Sequence, residues 1–201
     1  AQNSDDNKVF VVKNGRIVSS YEIGKDIDNI TFQKSIALDG NAVQVGDQKI
    51  EMKSAIIMQQ NGLIYVFLSP LEDAKTTADV AGGDYYMQIV MSPTLLGENI
   101  TLSKFSEEFE EDEMFQVSFM DKKKYDEDDY EPPMFSSDDY SDLFTDGTLY
   151  LNYTDDELDF HFSGDAAEGA ETFAAQYKGP FTEIKQNPYY FSVDGDRMDL
   201  R

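Results

Sequence analysis

Asn61-Gly62 lies between two strongly apolar runs, Lys49–Gln59 and Leu63–Ser69, and it narrows the choice of fold more than any other stretch. A two-residue type I′ turn requires positive φ at both central positions, which Asn-Gly tolerates well. The flanking runs are therefore expected to pair antiparallel as a central hairpin. Asp84–Met91 is expected as a third long strand beside it.

The same punctuation recurs along the chain. Residues 1–7 are polar and read as a flexible tail. Asn14-Gly15 separates Lys8–Lys13 from Arg16–Ile23, and the alternation of Ile30 and Phe32 ends a small N-terminal hairpin unit, 8–34. Turn residues at Leu38–Asn41 and Gly46-Asp47 bracket the short run Ala42–Val45. Leu71–Ala78 has the composition for one or two helical turns, ended by Gly82-Gly83. Thr94–Glu98 reads as a turn and Asn99–Leu102 as a short strand. Period-2 alternation returns at Met114–Met120, at Thr148–Tyr153 and at Leu158, Phe160 and Phe162. Thr172–Tyr177, Pro180–Ile184 and Tyr189–Val193 complete the set. Roughly ten to twelve short strands define an all-β chain, an antiparallel β-sandwich or partly closed barrel. Residues 35–201 form its main domain.

Charge and composition then remove whole classes of function. Forty acids against 16 Lys and Arg give a formal charge of −24, a field that repels phosphate backbones and anionic lipid, so nucleic acid is not an expected partner. The chain has no cysteine and one histidine, which removes disulfides, thiolate nucleophiles and multi-His zinc sites. No run of about 18 apolar residues is present, so no transmembrane helix is expected. The chain begins at Ala1 with a polar stretch and no Met, as a processed protein would.

Candidate binding residues fall where the acids concentrate. Glu107–Asp146 holds 16 acids and 3 lysines, more than half of the net charge. Within it, Asp121–Asp146 reads as one long acidic loop, because like charges repel and Pro132-Pro133 blocks ladder pairing. Its rings Tyr125, Tyr130, Phe135, Tyr140 and Phe144 alternate with acids and could stack on a glycan or hold a basic peptide; alternatively they pin the loop onto the sheet. Asp126, Asp128, Asp129 and Glu131 offer the hard oxygen ligands that calcium takes, although no twelve-residue calcium loop is present. The alternative is an unliganded, solubilising loop. Asp194 and Asp196 fit the first ligand positions of such a loop, but Met198 stands where a third would be.

His161 alternates with Phe160 and Phe162 and is expected on the polar face beside Asp159, facing solvent. No G-x-S-x-G elbow accompanies it. A glycoside hydrolase needs two carboxyls across a cleft, a geometry that sequence spacing does not encode in a β protein.

The strings K-V-F-V-V-K-N-G-R-I-V-S-S-Y-E-I and D-I-D-N-I-T-F within Lys8–Phe32 resemble the N-terminal unit of secreted, β-rich lipoprotein-type proteins of Bacteroidales bacteria. Gly147–Leu151 and Tyr177–Phe181 are similar to strand segments of the same group. The resemblance implies export to the periplasm or outer-membrane surface of a Gram-negative bacterium, with a lipid anchor upstream of Ala1 as one route. It assigns no functional residue. The expected function is a non-enzymatic surface or periplasmic binding or accessory protein whose partner is a glycan or envelope protein. The alternative is a carboxylate-based glycoside hydrolase or other polysaccharide-active enzyme.

Overall fold

The computed structural model describes residues 8–13, 16–22, 38–137, 144–185, 190–193 and 196–199. It divides into two compact units, Ala1–Ser35 and Ile36–Arg201. In the first, β1 (Lys8–Lys13) pairs antiparallel with β2 (Arg16–Glu22), with a register shift between Val11 and Val12. Phe10, Ile17 and Tyr21 are exposed on this ribbon. The turn Asn14-Gly15 and the strand expected around Ile30 and Phe32 lie outside the described residues.

The second unit is a β-sandwich of two six-stranded sheets. One sheet is built from β5 (Ser54–Gln60), β6 (Leu63–Ser69), β7 (Tyr85–Met91), β9 (Phe115–Asp121), β10 (Met134–Ser136) and β14 (Thr182–Ile184), in the order β10-β9-β7-β6-β5-β14. The other contains β3 (Ala42–Val45), β4 (Gln48–Glu51), β8 (Asn99–Thr101), β11 (Phe144–Tyr153), β12 (Leu158–Ala166) and β13 (Phe173–Gly179), in the order β4-β3-β13-β12-β11-β8. No ladder joins the two sheets among the described residues, so the architecture is a sandwich and not a closed barrel. Pairing is antiparallel except where β14 runs parallel to β5. A further ribbon pairs β15 (Tyr190–Val193) with β16 (Asp196–Asp199); its turn, Asp194-Gly195, lies outside the described residues.

The turn at Asn61-Gly62 has the geometry its residues require, with φ of 53° and 80°. The run before it, however, is two strands and not one. Gln48–Glu51 pairs with β3 in one sheet, Met52-Lys53 crosses over, and Ser54–Gln60 pairs with β6 in the other. Hydropathy alone does not mark this break, because Met52 at the crossover is itself buried in the core.

Alternation builds the core directly. Ile64, Val66 and Leu68 of β6, Met87, Ile89 and Met91 of β7, and Phe115, Val117 and Phe119 of β9 face inward. Opposite them lie Leu149 and Leu151 of β11, Leu158, Phe160 and Phe162 of β12, and Phe173, Ala175 and Tyr177 of β13. Aromatic rings lock the sheets together: Phe135 lies 6.4 Å from Phe162 and 6.0 Å from Phe144, and Phe119 lies 6.3 Å from Phe173. Tyr177 is buried at the other end of this layer and donates its hydroxyl to the Pro180 carbonyl at 2.7 Å; burial raises its pKa.

One apolar patch lies on the outer face. The helix α1 (Thr77–Gly82) sets Val80 over Ile56, with Phe67, Tyr86 and Ile184 around them. It starts later than composition indicates, because Thr76 and Asp79 form a capping box: Thr76 Oγ1 accepts from the Asp79 amide, and Asp79 Oδ2 accepts from the Thr76 amide. A second, four-residue helix, α2 (Phe105–Glu108), sits Phe105 edge-on to Phe115.

The span Asp121–Asp146 is not one loop. Asp121 ends β9, the connection covers 122–133, Met134–Ser136 pairs with Gln116–Ser118 as β10, and β11 begins at Phe144. Phe135 is the reason: pairing turns its ring into the core, where it stacks on Phe115 at 5.9 Å. The neighbouring acids had masked a three-residue strand.

Asp146 and Asp165 face each other across β11 and β12. Burial first, and then the charge of Asp146, raise the Asp165 pKa. A carboxyl whose folded pKa exceeds its unfolded value binds its proton more tightly when folded. Its favourable contribution is complete below the unfolded pKa and is lost as pH rises through the folded one. Asp165→Asn is therefore expected to stabilise the protein above the carboxylate range and to leave it unchanged in acid. Because the site is partly solvated, the gain at pH 7 should be about 0.5 kcal/mol or less. Paired thermal melts at pH 3.5 and pH 7 would show this, and a gain of equal size at both would refute the charge explanation.

Candidate ligand cavity

One end of the sandwich opens between the two sheets into a cavity of about 300 Å³. Its floor is Val45, Phe119, Phe144 and Phe173, the inward residues at that end of four strands. Its rim is polar, with Gln48 from β4, Asp121 from the end of β9, Lys124, Tyr130 and Glu131 from the 122–133 connection, and Glu171 from the turn before β13. Concave, mostly apolar sites with a few convergent polar groups are the usual form of a small-molecule pocket, and this volume lies at the small end of their range.

Strand ends and tight turns position each group. Asp121 is 4% exposed, and its Oδ1 accepts from the Lys123 amide at 3.0 Å, which starts the turn out of β9. Tyr130 returns to the same point, its hydroxyl accepting from the Asp121 amide at 3.4 Å. Burial is the chief cause of its raised pKa; the hydrogen bond opposes the rise and the Asp121 charge adds to it. Lys123 turns away toward Asp84, 3.1 Å from Oδ2, with its ammonium over the Tyr85 ring. Glu171 leans over the β3–β4 turn, close enough to Gly46 that a Cβ there would sit 2.9 Å from Glu171 Oε1. Gly46 also holds φ of 56°, so this turn favours glycine for its conformation, whereas the flexible Glu171 side chain could move aside.

The residues expected from sequence divide accordingly. Tyr130 and Glu131 reach the cavity. Tyr125 is 54% exposed and lies edge-on to Tyr130 with 6.4 Å between ring centres. Phe135 does not reach the cavity; its ring packs in the core against Phe115, Phe144 and Phe162. Tyr140 lies outside the described residues. Asp126, Asp128, Asp129 and Glu131 do not gather around a point: among the described residues no three Asp, Glu, His or Cys side chains come within reach of one ion. Asp126 instead organises its own turn, Oδ1 accepting from the Asp128 amide at 3.2 Å.

Sequence reasoning missed Asp121, Lys124 and Glu171 as rim groups, and Val45, Phe119 and Phe173 as anything but core, while Phe144 was among the rings it singled out. Asp121 closes an otherwise apolar alternation, Phe115, Val117, Phe119, and a charge in that inward register was the available signal.

His161 lies on the outer face of the second sheet, 49% exposed, with Nε2 2.8 Å from Asp159 Oδ1. Lys178 bonds the other Asp159 oxygen at 2.8 Å. Burial opposes ionisation of Asp159, but Lys178 and His161 outweigh it and lower its pKa. With Asn99, Thr101, Thr148 and Tyr150, Asp159 and His161 border a depression more open than the cavity at the sandwich end.

The fold defines the chain as an all-β sandwich protein with a cavity between its sheets. No family model, curated protein or solved structure matches it. No helix among the described residues is long and apolar enough to cross a membrane.

Proposed function

We propose that this chain is a non-enzymatic binding or accessory protein that takes its ligand into the cavity at the end of the sandwich. The observation that carries this is the aromatic floor of Phe119, Phe144 and Phe173 beneath a rim of polar side chains from separate chain segments. Export to a bacterial envelope completes the proposal and rests on the sequence resemblance of Lys8–Phe32.

Ala170→Trp tests the site. Ala170 lies on the wall in a turn closed by its own amide to the Ala167 carbonyl at 3.0 Å, so a large side chain there should obstruct the opening without entering the core. Thermal-shift screening with aromatic, glycan and peptide libraries should find ligands that raise the melting temperature of the wild type and not of this variant. Ligands that shift both alike would place binding elsewhere.

A carboxylate-based polysaccharide hydrolase draws support from one observation, the presence of Asp121, Glu131 and Glu171 on the same rim. Product release from polysaccharide, lost in Glu131→Gln or Glu171→Gln, would favour it over simple binding.

A further inference from the structure

We infer that the cavity selects an organic cation, a protonated amine on an apolar or aromatic stem, and that Asp121 is the residue that receives its charge. The inference rests on the cavity being the ligand site. Asp121 lies on the cavity wall at 4% exposure, so a charge brought to it is screened by water less than one on the open rim. Its Oδ1 accepts from the Lys123 amide at 3.0 Å, which fixes the carboxylate on the cavity wall. Among the described residues none of the three lysines that follow it forms an ion pair with Asp121: Lys122 donates to the Ala81 carbonyl, Lys123 is held by Asp84, and Lys124 shares the rim without such a pair.

The remaining groups favour the same chemistry. Glu131 and Glu171 outnumber Lys124 on the rim, so the opening is anionic within a chain of formal charge −24, and both local and long-range fields draw cations toward it. The floor is Val45, Phe119, Phe144 and Phe173, apolar side chains that suit an apolar or aromatic stem. A metal ion fits less well, because the rim carboxyls do not assemble three ligands around one point. The cation could come from a free arylalkyl amine or from a lysine side chain of a peptide, and both present the same group.

Isothermal titration calorimetry on the full chain can separate the possibilities, using 2-phenylethylammonium, its uncharged analogue 2-phenylethanol, 3-phenylpropionate, Nα-acetyl-lysine amide and calcium chloride. The ammonium is expected to bind at least about tenfold more tightly than the alcohol, with the carboxylate weakest. Asp121→Asn, which keeps the acceptor for the Lys123 amide, should weaken the ammonium by about tenfold or more and leave the alcohol unchanged. Binding of the lysine amide in place of the free amine would identify the source as peptide. Equal binding of ammonium and alcohol, unaffected by Asp121→Asn but abolished by Ala170→Trp, would overturn the charge selection while leaving the cavity as the site. Binding indifferent to both variants would overturn both. Calcium binding that depends on Asp121, with no binding of the amine, would replace the organic cation with a metal.

Discussion

Phe162→Ala should lower the stability of the protein by about 3–5 kcal/mol, the usual range for removing a buried phenylalanine. Phe162 is 3% exposed and occupies the middle of the aromatic layer that joins the sheets. Its ring lies 5.2 Å from Phe173 and 6.2 Å from Phe144 within its own sheet, and 6.4 Å from Phe135 across the gap. Truncation removes the apolar area and also leaves a void that three rigid rings, each held by other partners, cannot collapse to fill. Urea unfolding followed by tyrosine fluorescence should show a lower midpoint with an unchanged slope. A loss under 1 kcal/mol would mean that the two sheets do not share this aromatic layer.

The second large effect is expected from the smallest change, Gly147→Ala. Gly147 faces Gly164 in the β11–β12 ladder, and a Cβ at this position would run into the Ser163 carbonyl oxygen. It would also stand 2.7 Å from Leu102 Cδ1 and 3.0 Å from Gly164 Cα. Leu102 could rotate away, but the backbone atoms cannot yield without parting the ladder. The loss should be about 3 kcal/mol, at the upper end of overpacking effects. Gly82→Ala supplies the contrast, because that position has open space and lies in a helix, where alanine should stabilise by about 0.4–1 kcal/mol. If both variants melted alike, close approach at Gly147 would not be the reason for glycine there.

Much of the strand pattern could be read from residues alone. The Asn61-Gly62 turn, the pairing of Leu63–Ser69 with the segment before it, and the reversal between Tyr153 and Leu158 all follow from local chemistry. Each needs only a period-2 alternation and a turn that tolerates its φ angles. The expected strand at Asn99–Leu102 proved to end at Thr101, where a short helical turn takes over and carries Leu102 into the core. Where the chain changes sheet, local chemistry was silent. Met52-Lys53 looks like the interior of one strand because a crossover residue in a sandwich is as buried as a strand residue.

The cavity was legible only in part. Tyr130, Glu131 and Phe144 stood out through their acidic surroundings, but Phe119 and Phe173 resemble any other inward-facing aromatic. They line a cavity because they occupy the ends of strands where the facing sheets are not filled by another side chain. Phe135 follows the other reading of the loop's rings, in which they pin the chain onto the sheet: pairing of three residues with β9 buried it.

The sequence by itself determined that this chain is an acidic, cysteine-free, all-β protein, and it placed most strands and hairpin turns, since these depend on neighbours a few residues apart. Only the tertiary structure decided which sheet each strand joins, that Phe135 belongs to the core, and that Asp121 lies buried on the wall of a cavity. Those outcomes depend on contacts between residues far apart in the chain. The cavity wall, for instance, brings Val45, Asp121 and Phe173 together, and no local pattern carries that information.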